Sequence, residues 1–384
     1  MNERKTIVYA GGFALPDRNA SAQRVLGNAH LFRSLGYEVV LVGQLPDNAP
    51  EAEIEGFRCI GIHSPNHPYY KNDSGSVRAA IERVGVEKIR ALIAYNYPAR
   101  PLAQLIRYAS KRSFSTVAEC SEWYSWEGNS LRQNLRKQLE TQWRIRVLAR
   151  RTGNVICVSE WGRSLYAGLN TVLLPFVIDE TEPKWAVAAW PRAEDRRRFV
   201  YAGNPGKGLI KDYLHVALAA LADFARKGAD FDFQVAGISK ADVLAAFPRL
   251  AGDIKALGDR ITFHGRLPHA QTLGLIKSAD FSFFVRPDNR MSHFGFPTKL
   301  AEAFACGTPT ITNPTSDIAR YVRDGDTGIL LDGPDAGSIT AGLGKALALT
   351  DDEVAAMKAR CAADNPFSPA KFAGPVAAFL EAVR

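Results

Sequence analysis

The chain has 384 residues, of which 46% are hydrophobic and 23% charged, a composition typical of a globular protein with room for two domains. No run of about 18 to 20 apolar residues predicts a membrane span, and the first residues lack the apolar core of a signal peptide, so we expect a cytoplasmic protein. Five scattered cysteines without a CxxC pair argue for a reducing compartment and against a structural zinc site.

The net charge of +8 is concentrated in the first half of the chain. Residues 1–178 carry 23 lysines and arginines against 15 acidic residues, whereas residues 179–384 carry 25 of each. The segment 100–151 alone holds 11 basic and 4 acidic residues. A local positive field of this kind predicts an anionic partner for the first half.

The first half has the pattern of an α/β series. Strand Thr6–Ala10 is predicted to end at Gly11-Gly12 and to lead, through a loop, into an amphipathic helix that Asn19 or Ser21 caps. Strand Glu38–Val42 follows. Further apolar runs are continuous rather than alternating, as buried parallel strands are, at Ala91–Tyr95, Thr116–Ala118, Val155–Val158 and Val172–Leu174.

A second α/β series follows a connector at 178–198 that is rich in proline, tryptophan and charge. Its predicted strands are Phe199–Ala202, Phe231–Ala236, Ile261–His264, Phe281–Val285, Pro309–Thr312 and Gly328–Leu331. A last helix, 368–384, is apolar on one face. We therefore predict two Rossmann-like domains, 1–178 and 179–367, with their ligands beyond the carboxyl ends of the strands.

The segment HFGFPTKLAEAFACGTPTITN, residues 293–313, contains the strongest motif. Pro297 suits the first turn of a helix that Gly307 ends, and the free N–H groups at the start of this helix favour a diphosphate. Glu302, one turn further on, could accept hydrogen bonds from ribose hydroxyls. From spacing alone, a solvated helix face that carries Lys299 and Glu302 explains the pattern equally well.

The segment FVYAGNPGKGLIKD, residues 199–212, leads from a strand into a glycine-rich loop and then into a helix that is predicted to begin near Leu209–Asp212. Gly203 and the glycines after it let a phosphate approach the backbone, and Lys207 and Lys211 supply positive charge. An ordinary glycine turn with surface lysines is the alternative. The segment is not a Walker loop, because GxxxxGK[ST] does not occur.

Loops of the first half supply candidate acceptor contacts. The candidates are Gly12, Asn19, Ser21, Arg24, Glu119 and Glu122. The first four lie in or after the Gly11-Gly12 turn, where the absence of GxGxxG counts against a hydride-transfer enzyme. The two glutamates follow a predicted strand and could orient an acceptor or act as a base, although acids at a helix N-terminus are an equally simple interpretation.

A row of apolar residues at spacing four predicts an amphipathic helix in the basic segment. The row comprises Leu131, Leu135, Leu139, Trp143 and Val147, and basic residues crowd the rest of the helix at Arg132, Arg136, Lys137, Arg144, Arg146, Arg150 and Arg151. We expect the apolar row to face the core, as is commoner, while the basic flank is able to meet anionic lipid.

Three of these elements, taken in order, resemble the donor-binding signature of glycosyltransferase family 4, which is usually written E-x7-E followed by Gly-x-Pro. Lys211 matches the loop lysine, Glu302 the second glutamate and Gly307-Thr308-Pro309 the Gly-x-Pro. The first glutamate falls on Phe294 and the loop arginine on Asn204, which are two departures. Arg286, after strand Phe281–Val285, is our candidate for the missing positive charge.

The resemblance implies an α/β protein of the GT-B fold, with two Rossmann-like domains facing across a cleft and the last helix returning to the first domain. The second domain is then expected to hold the donor. The implied catalytic residues are Lys211, Glu302 and Arg286, and the implied donor contacts are Gly203, Asn204, Lys207, Gly265, Arg266, Gly295, Phe296, Pro297, Thr298 and Lys299.

The function that the resemblance implies is a retaining, metal-independent glycosyltransferase that uses a UDP- or GDP-sugar. The basic first half suggests a glycan or polyprenyl-diphosphate-linked acceptor, as in surface polysaccharide assembly, and a place on the inner face of the membrane. We expect no cofactor, no nucleic acid partner and no metal, since His63 and His67 suit a solvated loop. A nucleotide-sugar epimerase of the same fold, a non-catalytic GT-B-like protein and a nucleic-acid binder remain as alternatives.

Overall fold

The computed structural model describes residues 5–16, 18–62, 74–124, 130–192, 196–209 and 211–383, with Lys207 described by its backbone alone. The chain forms two compact units. The first unit contains the chain up to Val177, the stretch Phe294–Phe296 and the segment from Pro369 onwards. The second contains Ile178–His293 and Pro297–Ser368. Each unit is built on its own sheet, and the predicted α/β class is confirmed.

The first unit contains an eight-stranded sheet with the strand order β3-β4-β2-β1-β5-β6-β7-β8. Its strands are β1 (Thr6–Ala14), β2 (Glu38–Gln44), β3 (Glu51–Ile54), β4 (Phe57–Gly61), β5 (Ile89–Tyr95), β6 (Ser115–Cys120), β7 (Asn154–Cys157) and β8 (Asn170–Leu173). Neighbouring strands are parallel except in the β3–β4 hairpin at one edge. The central strands are covered on both faces, which explains their continuous apolar sequences.

Helices cover the first sheet. They are α1 (Ala20–Ser34), α2 (Gly75–Val84), α3 (Ala99–Ser110), α4 (Leu131–Gln142), α5 (Ala149–Arg151) and α6 (Glu160–Ser164). A π-helical turn, Trp143–Leu148, joins α4 directly to α5. The long helix predicted in the basic segment is therefore present from Leu131 to Arg151.

The second unit contains a six-stranded, all-parallel sheet with the order β11-β10-β9-β12-β13-β14. Its strands are β9 (Arg197–Ala202), β10 (Phe231–Ala236), β11 (Ile261–Gly265), β12 (Phe281–Phe283), β13 (Thr310–Thr312) and β14 (Gly328–Leu330). Its helices are α7 (Leu214–Arg226), α8 (Lys240–Ala246), α9 (Ala251–Leu257), α10 (His269–Ser278), α11 (Arg290–Phe294), α12 (Thr298–Ala305), α13 (Ala336–Ala348) and α14 (Asp351–Ala363).

The last helix, α15 (Pro369–Ala382), packs in the first unit, which confirms its predicted return. Phe372, Val376 and Leu380 belong to the same buried apolar cluster as side chains of α1 and β8. Arg90 also donates a hydrogen bond from Nη2 to the Leu380 carbonyl (3.1 Å). Across the described ranges, no helix combines the length and the apolar character that a membrane crossing requires.

The structure corrects three predicted boundaries. β1 runs on to Ala14, so Gly11 and Gly12 lie inside the strand, where a Cβ on Gly11 would come within 2.7 Å of the Tyr95 Cβ. β6 runs to Cys120 and therefore includes Glu119. The helix predicted near residue 209 begins only at Leu214, because a short 3-10 turn and a bend intervene.

Candidate active site

Three adjacent strands of the second sheet end in glycine at its carboxyl edge. Gly203, Gly237 and Gly265 end β9, β10 and β11 and have φ values of +142°, +98° and +63°. Gly203 donates its N–H to the Ala236 carbonyl (3.0 Å), and Gly237 donates to the Gly265 carbonyl (2.7 Å). A Cβ on Gly237 would lie 2.3 Å from the Gly203 carbonyl oxygen, so only glycine allows this approach. The glycines thus let neighbouring backbone and the stem of Lys299 pack closely at this edge, where a Cβ on Gly203 would lie 2.4 Å from Lys299 Cε.

The loop after β9 is held by its own polar groups. Asn204 Oδ1 accepts a hydrogen bond from the Gly206 N–H (2.8 Å), and the Lys211 N–H donates to the Pro205 carbonyl (2.9 Å). The stem of Lys211 packs on Gly206, where a Cβ would lie 3.0 Å from the lysine Cδ. Asn204 therefore shapes the loop and brings no charge to it. The side chain of Lys207 lies outside the described residues.

Lys299, on α12, brings a partly buried positive charge to the same edge. Its Nζ forms an ion pair with Asp212 and donates to the Tyr201 hydroxyl (3.2 Å), which itself donates to Asp212 (2.7 Å). Burial lowers the pKa of Lys299, Asp212 opposes that effect, and the charges of Arg286 and Lys211 lower the pKa further. The net pKa of Lys299 is below its usual value.

Arg286 is a second, partly buried cation, beyond the end of β12. Its Nη1 donates to the Ser292 carbonyl (3.1 Å), and Asn313 holds its backbone through two hydrogen bonds of 2.9 Å. Burial lowers the pKa of Arg286, and the negative charge of Asp212 opposes this effect. We use the name cation cluster for the group of four charged residues Lys211, Asp212, Arg286 and Lys299.

Glu302 lies one turn after Lys299 on α12, and its Oε1 is 3.3 Å from His269 Nε2 on α10. The Glu302 and His269 side chains are 15% and 17% exposed, so this carboxylate is neither a solvated surface group nor fully buried. The predicted helix is confirmed, with Pro297 as its N-cap residue and Gly307, at φ +63°, just past its end. No side chain in the described ranges caps its first turn.

Sequence reasoning missed the groups that hold the cation cluster in place. Asp212 directly follows the predicted Lys211, and an acid beside a loop lysine was the available signal. Tyr201 and His269 gave no signal, because they contact Lys299 and Glu302, which lie 98 and 33 residues away in the sequence.

Phe294, at the position of the family's first glutamate, is a core residue of the first unit. It is 1% exposed, and its ring centre lies 5.5 Å from that of Trp123 and 6.1 Å from that of Trp161. Its carbonyl accepts a hydrogen bond from Ser159 Oγ (2.9 Å). Packing in an aromatic cluster explains why this position is apolar.

The other predicted donor contacts fall in different parts of the fold. Gly295 and Phe296 group with the first unit, whereas Pro297, Thr298 and Arg266 belong to the second. Thr298 is the first residue of α12, and Arg266 is exposed after β11. The second unit thus brings together Lys211, Arg286 and Lys299 around Asp212.

The predicted acceptor contacts near α1 serve the fold of the first unit. Asn19 is the N-cap residue of α1, as predicted, and its Oδ1 accepts from the Ala22 N–H (2.9 Å). Ser21 Oγ accepts a hydrogen bond from the Tyr95 hydroxyl (3.2 Å). Gly12 lies half-buried within β1.

Arg24 and Glu119 form a buried ion pair, a different role from the predicted acceptor contacts. Arg24 Nε lies 2.5 Å from Glu119 Oε1, while its Nη1 and Nη2 donate to the carbonyls of Pro175 and Leu174. Glu119 also accepts from the Tyr9 hydroxyl, and the two side chains of the pair are 4% and 0% exposed. The pair is internally satisfied because β6 extends through Glu119 and turns its carboxylate into the unit.

The expected orientation of the basic helix is wrong. The row from Leu131 to Val147 is exposed rather than packed on the core, and Arg144, predicted on the basic flank, is 1% exposed. Arg144 donates to the carbonyls of Asn96 (3.2 Å) and Glu122 (2.6 Å). The carboxylate of Glu122 is exposed. His63 and His67 lie outside the described residues.

Comparison with known proteins adds a family and a fold. Residues 196–348 match the family described as Glycosyl transferases group 1. Curated protein sequences gave no significant match. Sucrose-phosphate synthase from Thermosynechococcus elongatus is structurally similar over 98% of both chains, with 16% identity and a TM-score of 0.68.

Two further solved structures have the same fold. HepE of Anabaena, in complex with UDP and glucose, is similar over 98% of this chain and 99% of its own, with 15% identity and a TM-score of 0.66. WaaG, a glycosyltransferase involved in lipopolysaccharide biosynthesis, is similar over 96% and 98%, with 15% identity and a TM-score of 0.62.

The matched family segment contains β9 to β14 and every residue of the cation cluster. The structural similarities, at these low identities, establish the GT-B fold for the chain. These two findings give the chain a GT-B fold and give its second unit a match to the group 1 glycosyltransferases over residues 196–348.

Proposed function

We propose that the chain transfers a sugar from a UDP- or GDP-sugar to a hydroxyl of a glycan or lipid-linked acceptor, with retention and without a metal ion. The bond between sugar C1 and the β-phosphate oxygen breaks, and the acceptor oxygen bonds to C1. The acceptor proton passes to the leaving diphosphate on the same face of the sugar. The protein's main task is then to stabilise the growing negative charge of the nucleoside diphosphate.

The observation that carries this proposal is the cation cluster. Three positive side chains, Lys211, Arg286 and Lys299, lie around the single carboxylate of Asp212, so positive charge is in excess there. A diphosphate supplies the missing negative charge. Lys211, Arg286 and Lys299 therefore take on the charge neutralisation that a divalent metal ion can otherwise supply.

The start of α12 provides further diphosphate contacts. Its first N–H groups have no capping side chain among the described residues, and the positive end of a helix dipole favours an anion. Gly265, where a Cβ would meet nothing within 4 Å, leaves room for the nucleotide to approach the backbone, and Gly203 leaves room for the Lys299 stem. Glu302, one turn into α12, accepts hydrogen bonds from the ribose hydroxyls.

The choice of donor base and acceptor is supported by the structural neighbours and by the positive charge of the first half of the chain. The HepE structures contain UDP and UDP-glucose, so a UDP-sugar is the first donor to test. The positive excess of the first half fits an acceptor that carries phosphate, such as a polyprenyl-diphosphate glycan at the inner face of a membrane. WaaG acts in lipopolysaccharide biosynthesis, which supports a role in polysaccharide assembly.

A thermal-shift panel of UDP, GDP, ADP and their sugars tests the donor first. At a hundredfold excess over Kd, a ligand that binds the native state adds about 2.7 kcal/mol to the free energy of unfolding. We expect UDP or GDP, but not the free nucleoside, to raise Tm. The preferred nucleotide-sugar is then incubated with and without EDTA, and the released nucleotide and the anomer of the product are determined by NMR.

Each result of this panel is decisive. Nucleotide release that EDTA leaves unchanged, with a product of the donor's anomeric configuration, supports the proposal. Conversion of the donor sugar into its epimer with no release of nucleotide identifies an epimerase instead. Binding without turnover of any donor, across a panel of glycan acceptors, identifies a non-catalytic protein.

A further inference from the structure

A ridge of large apolar side chains stands on the outer face of α4 and the π turn. Its members are Leu131, Leu135, Leu139, Trp143 and Val147, which are 71%, 54%, 64%, 44% and 39% exposed. Within the described ranges, these five are the large hydrophobic side chains that are exposed. Single exposed apolar residues are ordinary on a protein surface, but a contiguous row marks a site of interaction.

The inner face of α4 is polar, so the ridge is not left over from packing on the core. The buried residues of α4 are Asn134 and Thr141. Gln138 Nε2 donates to the Tyr124 carbonyl (2.8 Å), and Glu140 Oε1 accepts from the Ala99 N–H at the start of α3 (2.6 Å). The helix therefore attaches to the first unit through hydrogen bonds and turns its leucines outward, the reverse of an ordinary surface helix.

The π turn limits the winding of the ridge at its last step. Residues four apart in an α-helix advance by about 40° around the axis at each step, so the row turns gradually from Leu131 to Trp143. A π turn is wider, because its hydrogen bonds run between residues five apart. The step from Trp143 to Val147 lies within this turn, so the drift does not continue there. The buried Arg144 fixes the turn to the first unit through the Asn96 and Glu122 carbonyls.

Exposed arginines share the outer face with the ridge. Arg132 and Arg136 lie one position after Leu131 and Leu135, and Arg146 and Arg150 continue the series through the π turn. An apolar row flanked by arginines matches the boundary between anionic headgroups and acyl chains. Trp143, half-exposed in the middle of the helix, is the residue type that is enriched at such boundaries.

We propose that the segment Leu131–Arg151 is a membrane-docking helix, which lies in the plane of an anionic leaflet with its leucines among the acyl chains. Only the biological role of this docking rests on the proposed function, because a lipid-linked acceptor lies in the membrane to which the helix would bind. A second copy of the chain is a poorer occupant. A two-fold interface places the same patch against itself, and the arginines of both copies would then face one another.

Vesicle sedimentation of the full chain tests the helix. At low salt we expect binding to vesicles of phosphatidylcholine with 30% phosphatidylglycerol, and little binding to phosphatidylcholine alone. Leu135→Gln with Leu139→Gln is expected to weaken binding at least tenfold, because both leucines would leave the acyl region. Arg132→Gln with Arg136→Gln is expected to weaken it about fivefold per arginine, with a smaller salt dependence than in the wild type.

The matched control is Arg226→Gln with Arg323→Gln, two exposed arginines of the second unit, which changes the net charge equally. Its affinity for the vesicles is expected to be that of the wild type. An equal loss of vesicle affinity in the control would show that binding depends on net charge alone, and it would overturn the proposal. So would wild-type affinity in the leucine variant, or a wild-type chain that stays in the supernatant with anionic vesicles.

Two further measurements distinguish membrane docking from self-association of the chain. Anionic vesicles are expected to shift the tryptophan emission of the wild type to shorter wavelength, and Trp143→Phe is expected to remove most of that shift. Light scattering without lipid is expected to give the same mass for the wild type and the leucine variant. A dimer that the leucine variant dissociates, together with absent vesicle binding, would assign the ridge to a second copy. Nucleotide binding should be unchanged in every variant, so loss of docking is distinct from failure of the proposed transferase.

Discussion

Each unit places positive side chains beside a buried carboxylate, Glu119 in the first unit and Asp212 in the second. The two sites differ in how fully the carboxylate compensates the positive charge. In the first unit, burial opposes the charged form of Arg24, but Glu119 and Tyr9 outweigh it and the pKa of Arg24 is raised. In the second unit, burial wins over Asp212, and the pKa values of Lys299 and Arg286 are lowered. The first arrangement is complete and structural, whereas the second lacks negative charge and suits an anionic ligand.

The largest expected effect is a loss of folding stability when the ion pair between Arg24 and Glu119 is broken. Glu119→Gln leaves the Arg24 charge buried without its partner, so the free energy of unfolding should fall by about 3–5 kcal/mol. Denaturation in urea, followed by circular dichroism, measures the change. Glu122→Gln is the matched control, because that side chain is exposed, and it should change the free energy by less than about 0.5 kcal/mol. A similar small change in both variants would remove the structural role of the pair.

In the cation cluster we expect the opposite, a loss of activity with little change in folding stability. Lys211→Met should leave the unfolding free energy nearly unchanged, because the residue is exposed, while kcat/KM for transfer falls by about 10² to 10³. Steady-state kinetics with the preferred donor measures the loss. Lys240→Met, at an exposed lysine of α8, should keep the wild-type rate. If Lys211→Met matches that control, the diphosphate does not bind at the cation cluster.

A third prediction concerns the preference of Glu302 for a nucleotide that carries the ribose 2′-hydroxyl. If its carboxylate accepts from the ribose, the wild type should prefer UDP to 2′-deoxy-UDP by roughly tenfold or more, since a hydrogen bond to a charged group contributes about 1.5–3 kcal/mol. In Glu302→Gln this preference should shrink, and calorimetry measures both affinities. Inorganic pyrophosphate has no ribose and should bind both proteins equally. An unchanged preference would place the ribose elsewhere.

The smallest expected effect is in the pH dependence of nucleotide binding. Lys299 must be protonated to attract a diphosphate, and its pKa is lowered by burial, so affinity should fall as pH rises through that lowered value. The bound anion favours the charged lysine, so the fall in affinity begins at the pKa of the free protein and levels off at the higher pKa of the complex. The ratio of wild-type to Lys299→Met affinity, measured at several pH values, isolates this lysine because titration of the nucleotide cancels. A ratio that is constant with pH would contradict the assignment.

Local patterns predicted much of the fold from the sequence. Continuous apolar runs identified the buried parallel strands, and β10 was predicted with its observed bounds, Phe231–Ala236. Asn19 was one of two predicted candidates for the cap and Gly307 was the predicted stop; both hold these roles, which depend on neighbouring backbone groups. The β3–β4 hairpin was missed, since its short edge strands contain alternating charges rather than an apolar run.

Side-chain partners could not be predicted, because they join distant residues. Glu119 appeared to be a loop acid, but the Arg24 that pairs with it is 95 residues away in sequence. The apolar row on α4 was predicted to face inward from its spacing alone. In the structure the row faces outward, because Gln138 and Glu140 supply the inward contacts of α4. The spacing of apolar residues does not reveal such polar contacts. Similarly, Phe294 gave no sign that Trp123 and Trp161 would surround it.

The placement of α15 has a consequence for synthesis in the cell. This helix supplies Phe372, Val376 and Leu380 to the apolar cluster of the first unit, but it leaves the ribosome after the whole second unit. The first unit therefore emerges with part of its core uncovered, and it stays so while about 190 further residues are translated. A released chain truncated after Ser368 should have a second unit that resists protease and a first unit that does not.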